Sequence, residues 1–295
     1  MSVKDNTYGI APLQDKMLDI LKYFISLCEK YNLRYCAYGG TCIGAFRHQG
    51  FIPWDDDLDV SMPRPDYEKL WNLCGQEKQN NKKYKLCRTT ENKNYHHRVM
   101  QMVDLETTFI NRRSMNEDIE HGVYIDIIPL DACPSSSIRR LSQIINSVLF
   151  SVYNIQNPPE FNGGRIEKAA VNILLKLIRD PKKRAKIWQR AEKKMICEKW
   201  GTTEKIVELT TSFKTLFHPY PKEWLLISGK KMRFEDICIV VPDMAEDYLT
   251  AGFGNFMHLP PQEDRHPRHN TVMIDLDNSY KKYKGKYYLV IDSEK

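Results

Sequence analysis

No two cysteines of this chain stand in a CxxC pair. The eight of them, at 28, 36, 42, 74, 87, 133, 197 and 238, sit mostly inside apolar patterns, which predicts reduced core thiols and argues against a zinc site. Nor does any apolar run reach the about 18 residues that a membrane-spanning helix requires. The opening Met1-Ser2-Val3-Lys4-Asp5-Asn6 has no apolar stretch of the signal-peptide kind, so a cytoplasmic protein is expected. Repeats and long low-complexity tracts are also missing, which excludes solenoid arrays. Basic residues interleaved with aromatics along a main domain, the mark of a nucleic-acid binder, are absent, and no nucleic acid is expected as partner.

What is present suits a globular chain: 295 residues, 42% hydrophobic and 28% charged, enough for one large core or two modest ones. The formal charge of +6 is concentrated. Between Arg165 and Lys199 twelve Lys or Arg stand against four acids, a local +8 that leaves the remainder near −2. Residues 166–178 place apolar side chains at 166, 169, 170, 173, 174, 177 and 178, an amphipathic helix with the basic residues after it. A solvated bundle face is the plain reading of this region; peripheral contact with an acidic membrane surface is the sharper one.

The chemistry gathers at 38–66, YGGTCIGAFRHQGFIPWDDDLDVSMPRPD. Asp55, Asp56, Asp57 and Asp59 fall within five positions that hold no basic residue. In an extended chain alternate side chains share a face, so Asp55, Asp57 and Asp59 line one side while Leu58 and Val60 line the other. Neighbours on such a face lie about 6.5 Å apart, where two carboxylates repel by about 2–3 kcal/mol at an effective dielectric of about 20. A bound cation, a protonated acid or solvent exposure relieves that repulsion. Upstream, Gly39-Gly40-Thr41 turns a strand at 33–38 into a helix at 41–48, and such a turn offers free N–H groups to an anion. Arg47 and His48 close the helix, either as dipole partners or as phosphate contacts.

The rest of the chain predicts a helix at 13–30, with apolar residues at 13, 17, 18, 20, 21, 24, 25 and 27. Pro53 keeps the approach to the acids non-helical, Trp54 belongs to the core, and Asp66 is a candidate N-cap for a helix at 67–76. Strands are expected at 84–88 and 99–110. The stretch 122–129 reads as a buried strand interrupted by Asp126, a carboxylate that is costly to bury without a partner. The cation held by the first acids is the partner expected. Helices follow at 138–155 and 166–200, with breaks at 157–159, 163–164 and 180–181. Short strands are expected at 205–209 and 224–227, and a longer one at 234–242. Residues 248–270, rich in Gly, Pro and His, read as a loop over a site or a surface tail, and in the first case Arg265, His266, Arg268 and His269 would close on donor phosphates.

Gly39-Gly40-Thr41-Cys42-Ile43-Gly44-Ala45-Phe46-Arg47-His48, followed by Phe51-Ile52-Pro53-Trp54-Asp55-Asp56-Asp57-Leu58-Asp59-Val60, closely resembles the signature of the LicD family of phosphocholine and fukutin-type ribitol-phosphate transferases. The match is weaker around Tyr124 to Asp131 and from Pro242 to His269, and nothing is matched between Cys133 and Lys231. The resemblance implies an α/β (α+β) nucleotidyltransferase-like mixed sheet flanked by helices. Its catalytic core would occupy 1–132, a basic helical insertion 133–200, and a segment returning to close the site 201–295. It implies transfer of a substituted phosphate from a CDP-linked donor to a glycan hydroxyl with release of CMP, in the cytoplasm and at the inner membrane face where the acceptor is lipid-linked. Asp57, Asp59 and Asp126 would hold Mg²⁺ or Mn²⁺, with one of Asp55 and Asp56 as a further ligand or a support behind them and the other capping a turn. Gly39, Gly40, Thr41, Arg47 and His48 would bind the donor. Nucleotidyl transfer with loss of pyrophosphate, a DxD glycosyltransferase and an inactive binding protein remain the alternatives.

Overall fold

The computed structural model describes residues 6–75, 81–156, 165–210 and 213–290; the expected breaks at 157–159 and 163–164 lie outside them. In chain order the elements are α1 (Ala11–Tyr31), β1 (Cys36–Ala37), α2 (Gly39–Arg47), β2 (Asp59–Pro63), α3 (Arg64–Cys74), β3 (Tyr84–Cys87), β4 (Met100–Asp104), β5 (Thr108–Asn111) and β6 (Tyr124–Cys133). Then come α4 (Ser137–Ile155), α5 (Arg165–Leu177), α6 (Pro181–Met195), β7 (Lys205–Glu208), α7 (Phe213–Phe217), β8 (Tyr220–Pro221), β9 (Lys231–Phe234), β10 (Ile237–Val240), α8 (Ala245–Phe253) and β11 (Thr271–Asp275). This is the mixed α/β class the sequence predicts. The chain forms two compact units, one of Met1–Cys87, Gln101–Ile128 and Lys222–Lys295, the other of Arg88–Met100 and Pro129–Pro221.

In the first unit α1 buries Met17, Ile20, Leu21 and Phe24, each 1% exposed or less, as its apolar stripe requires. It stops at Asn32, which takes the left-handed conformation at φ 49° and returns its N–H to the last turn. The sheet runs β1-β2-β6-β4-β3, with β1 antiparallel to β2 through Cys36 opposite Ser61 and β3 antiparallel to β4. A separate ladder joins β5 to β11, antiparallel, with a register shift between Thr271 and Met273. Ile110, Tyr280 and Tyr288 form a small core of their own.

In the second unit the end of β6 pairs with β7, and β7 with β8. Phe150 of α4, Trp188 and Met195 of α6, and Val207, Leu209 and Leu216 make its core. Gln143, fully buried, donates to the carbonyls of Ala132 and Met195 at 3.0 Å each, and Ser147 on the same face of α4 donates to Leu209 O at 2.5 Å, so these buried polar side chains find backbone partners. Asp180 caps α6 by accepting from Lys182 N at 2.9 Å, with Pro181 opening the helix.

Several expectations need correction. The stretch 99–110 is two strands, since Leu105-Glu106-Thr107 turns the chain and Thr107 Oγ1 donates to Asp104 O. The stretch 234–242 is likewise half of a hairpin: β9 and β10 pair through a turn in which Glu235 adopts φ 55°. The strand expected at 224–227 is not formed: residues 222–225 make a 3-10 turn with Leu225 buried, and 226–227 carry no strand. The segment read as a loop from 248 begins inside α8, whose Tyr248 and Leu249 are buried and which Gly254 ends. Asp66 lies within the first turn of α3 and does not cap it; Arg34 donates to it at 2.7 Å. Six cysteines are buried, Cys197 and Cys238 are exposed, and all are free thiols. No helix among the described residues is long and apolar enough to cross a membrane.

Candidate active site

Asp57 and Asp59 meet Asp126 through the backbone. Asp126 N donates to Leu58 O at 2.9 Å, which sets the acid of β6 beside the middle of Asp57-Leu58-Asp59. Partly exposed Asp55, Asp57 and Asp59 alternate with buried Asp56, Leu58 and Val60, as an extended chain dictates; the ladder of β2 itself begins at Asp59. Two side chains fix this backbone. Gln14 of α1, 2% exposed, donates to the carbonyls of Ile52 and Asp55 at 3.0 Å each, and Thr41 Oγ1 accepts from Asp59 N at 2.8 Å.

The glycine turn lies against the acids. Gly39 has φ 49° and donates its N–H to the Tyr248 hydroxyl at 3.1 Å, while the Tyr38 and Tyr248 rings stack at 5.4 Å. A Cβ on Gly40 would come within 2.6 Å of Asp55 Oδ2, and one on Gly39 within 3.8 Å of Asp59 Oδ2. Asp55 therefore rests on the first turn of α2, where amides lack intrahelical acceptors and the helix dipole favours negative charge. Only a residue without a side chain at position 40 leaves that place open.

Burial and mutual repulsion tune the acids. Burial raises the Asp126 carboxyl to about 6; the hydrogen bond from Gln101 Nε2 at 2.8 Å opposes the rise and the charge of Asp57 adds to it. Asp57 is raised by burial against the pull of His269, and Asp55 is raised well above its ordinary value by burial and then by Asp57 and Asp56. Tyr124, two residues before Asp126 on β6, is raised by burial and then by Asp126 and Asp57. Clustered carboxyls that resist ionising together are the oxygen donors a hard divalent cation takes, so the donor chemistry fits Mg²⁺ or Mn²⁺. As they stand, no three His, Cys, Asp or Glu side chains among the described residues are drawn into a cage for an ion.

Asp56 faces the other way. Only 3% exposed, it accepts from Arg268 N and His269 N at 3.0 Å each, and His269 Nδ1 lies 3.1 Å from its Oδ1, an ion-pair distance without hydrogen-bond alignment. Burial works against a charged His269 ring, but Asp56, then Asp57 and Asp126, outweigh it and lift the ring to about 9. Burial would raise Asp56; His269 and the two amides hold it below its ordinary value instead. The segment after α8 is thus tied to the acid loop, and its edge contacts with Phe109 and Tyr124 bring His269 to the site. His266 does not reach it: exposed, it pairs with Glu263 O of its own turn.

Arg47 and His48 sit at the far end of α2. Arg47 donates to Phe256 O at 2.7 Å, to His258 O at 3.1 Å and to His48 Nε2 at 2.9 Å. Burial lowers its pKa, Asp55 opposes that and Arg265 adds to it, while burial and then Arg47 lower His48. Arg47 and Arg265 both lie over the Trp54 ring, at 5.9 and 5.5 Å. The structure thus sets Asp55 and Asp59 against Gly40, Gly39 and Thr41, brings Asp126 within electrostatic reach of Asp57, and places Arg47 within electrostatic reach of Asp55. Sequence reasoning missed Gln14, Gln101, Tyr124 and the Asp56–His269 pair. A signal existed for the two glutamines, each a lone polar residue on an apolar face, and for Tyr124, which shares a strand face with Asp126.

Residues 32–132 match the model of the LicD/FKTN/FKRP nucleotidyltransferase domain. Over 60 residues the chain is 55% identical to the lipopolysaccharide cholinephosphotransferase LicD of Haemophilus influenzae, covering 20% of this chain and 23% of that protein. It is 34% identical over 77 residues to the uncharacterized protein RP689 of Rickettsia prowazekii, 20% of this chain and 29% of that one. A third match, to ribitol 5-phosphate transferase FKRP of Homo sapiens, is 36% identical over 56 residues, 19% of this chain and 11% of the other. The chain thus spans under a third of the length of these relatives, and the matched domain is the part that carries Gly39 through Asp126.

Proposed function

We propose that this protein is a metal-dependent phosphotransferase of the cytoplasm. It moves a substituted phosphate, of the phosphocholine or alditol-phosphate type, from a CDP-linked donor to a hydroxyl of a cell-surface glycan and releases CMP. The observation that carries the reading is the bond from Asp126 N to Leu58 O, which seats an acid from a later strand beside Asp57 and Asp59 at the first turn of a helix. Two matched relatives are named for transfer of cholinephosphate and of ribitol 5-phosphate, both substituted phosphates.

In this reading Asp57, Asp59 and Asp126, with Asp55 beside them, hold Mg²⁺ or Mn²⁺, which supplies neutralisation of charge on the donor diphosphate. The amides of Gly40 and Thr41 bind a donor phosphate oxygen at the helix N-terminus, and Arg47 and His48 orient the donor from the other end of α2. Gln101 holds Oδ1 of Asp126 by a hydrogen bond, and Asp126 or a neighbouring acid takes the proton from the attacking hydroxyl.

The test is product analysis with CDP-choline, CDP-ribitol and CDP-glycerol, preceded by a thermal-shift screen with and without Mg²⁺ or Mn²⁺. At least one of these donors raises the melting temperature only when metal is present, and turnover releases CMP. Pyrophosphate released from a nucleoside triphosphate would identify a nucleotidyltransferase, and a nucleoside diphosphate released from a sugar nucleotide a glycosyltransferase. Either result overturns the proposal.

A further inference from the structure

The second unit carries a helical corner whose chemistry the transfer reaction does not use. On α5, Val171 and Leu175 enter the core while Ile173 and Leu177, one turn apart, stand 59% and 69% exposed. Arg184 of α6 donates to the carbonyls of Leu175 at 2.8 Å and Ile178 at 2.6 Å, fastening the first turn of α6 to the last turn of α5. Lys176, Arg179, Lys182 and Lys183, at the end of α5 and the start of α6 beside this junction, are all exposed. Along α6 the exposed Lys186, Arg190, Lys193 and Lys194 continue the same charge, and with a period of 3.6 residues Lys182, Lys186, Arg190 and Lys193 share one face. Of the acids in this stretch, Asp180 accepts from Lys182 N, Glu192 takes the guanidinium of Arg88 at 2.6 Å and Glu198 that of Arg139 at 2.7 Å.

A solvated charged face explains the lysines but not the two exposed aliphatic residues. We infer that the α5–α6 corner is an interfacial anchor for an anionic lipid surface, with Ile173 and Leu177 entering the acyl boundary and the cations of the corner meeting the lipid phosphates. A second copy of this chain would bring the same cations face to face. A nucleic acid would answer the cations and leave the aliphatic side chains in water. An anionic bilayer answers both.

The test is flotation of the full chain with vesicles of phosphatidylcholine alone and of phosphatidylcholine with phosphatidylglycerol, each at low and high salt. Binding is expected only with phosphatidylglycerol and is expected to weaken as salt rises. Lys182→Gln and Lys183→Gln each reduce partitioning by roughly fivefold. Ile173→Ser with Leu177→Ser, all cations retained, reduces it by about tenfold or more, with an unchanged circular dichroism spectrum. As a second readout, Leu177→Trp adds fluorescence that brominated phosphatidylglycerol vesicles quench beyond the wild-type background. Indifference to phosphatidylglycerol overturns the inference. So does wild-type binding by the serine double variant, which would mark a charge-only surface, and so does absence of added quenching.

Discussion

Gln101 shows how a single amide governs the candidate site. It lies among Met100, Met102 and Val103 on β4, is 4% exposed, and spends its side-chain N–H on Asp126 Oδ1. Gln101→Ala is expected to lower transfer activity by about 10–100-fold while leaving the fold intact, the usual effect of losing the partner that aims a metal-site ligand. Steady-state rates alongside thermal melting check this. Asp126→Asn should be more severe, since it removes both the charge and a proton acceptor; a loss of about 10²–10⁴-fold in rate is expected. His269 gives a pH signature. A ring held at about 9 against an ordinary 6.5 contributes stability that is complete below about 6.5 and fades as pH rises through about 9. In chelator-treated buffer the melting-temperature gap between wild type and His269→Gln should be widest on the acid side and close above pH 9; a gap independent of pH would contradict the pairing with Asp56. At this scale the acids were legible because their type and spacing are unusual: Asp57 and Asp59 as an alternating pair, Asp126 as a charge between isoleucines. Gln14 and Gln101 could be noticed as polar residues on apolar faces, but their roles could not be read, because their partners lie 41 and 25 residues away and only the fold brings them together.

Among the elements, the glycines separate what the site needs from what the sheet needs. A Cβ at Gly122 would overlap the Asp104 carbonyl and crowd Val103, backbone and packed side chain that cannot step aside. Gly122→Ala should therefore destabilise the protein by about 1–3 kcal/mol or more, read as a lower denaturation midpoint. At Gly40 the neighbour is the tip of the Asp55 side chain, which can rotate away, so Gly40→Ala should fold normally and lose activity through displacement of that carboxyl from the first turn of α2. The helices α1 and α5 were legible from their 3.6-residue patterns, and the start of α6 from the break at Asp180-Pro181. The β9–β10 hairpin was not, because its turn is Glu235-Asp236, without glycine or proline, and Glu235 reaches positive φ unaided by composition. α8 was obscured by the Gly, Pro and His content of the residues that follow it.

Over the whole molecule, the first unit is assembled from three separated lengths of chain. No local pattern announces that β11 will pair with β5, or that the amides of Arg268 and His269 will hold Asp56 from 212 and 213 residues away. Contacts of such separation carry no periodic signature, which is why the residues of the returning segment were legible as candidates while their seating was not. The same wiring limits how the gene can be divided. Residues 32–132, the portion that matches the family model, contain every acid of the candidate centre, yet excised alone they would leave β5 without a mate, Gly39 N–H without its phenol and Asp56 without its two donors. Expressed as a stand-alone fragment, that portion should precipitate or show the spectrum of an unfolded chain, so transplanting the signature onto another scaffold would carry the letters of the site and not its shape.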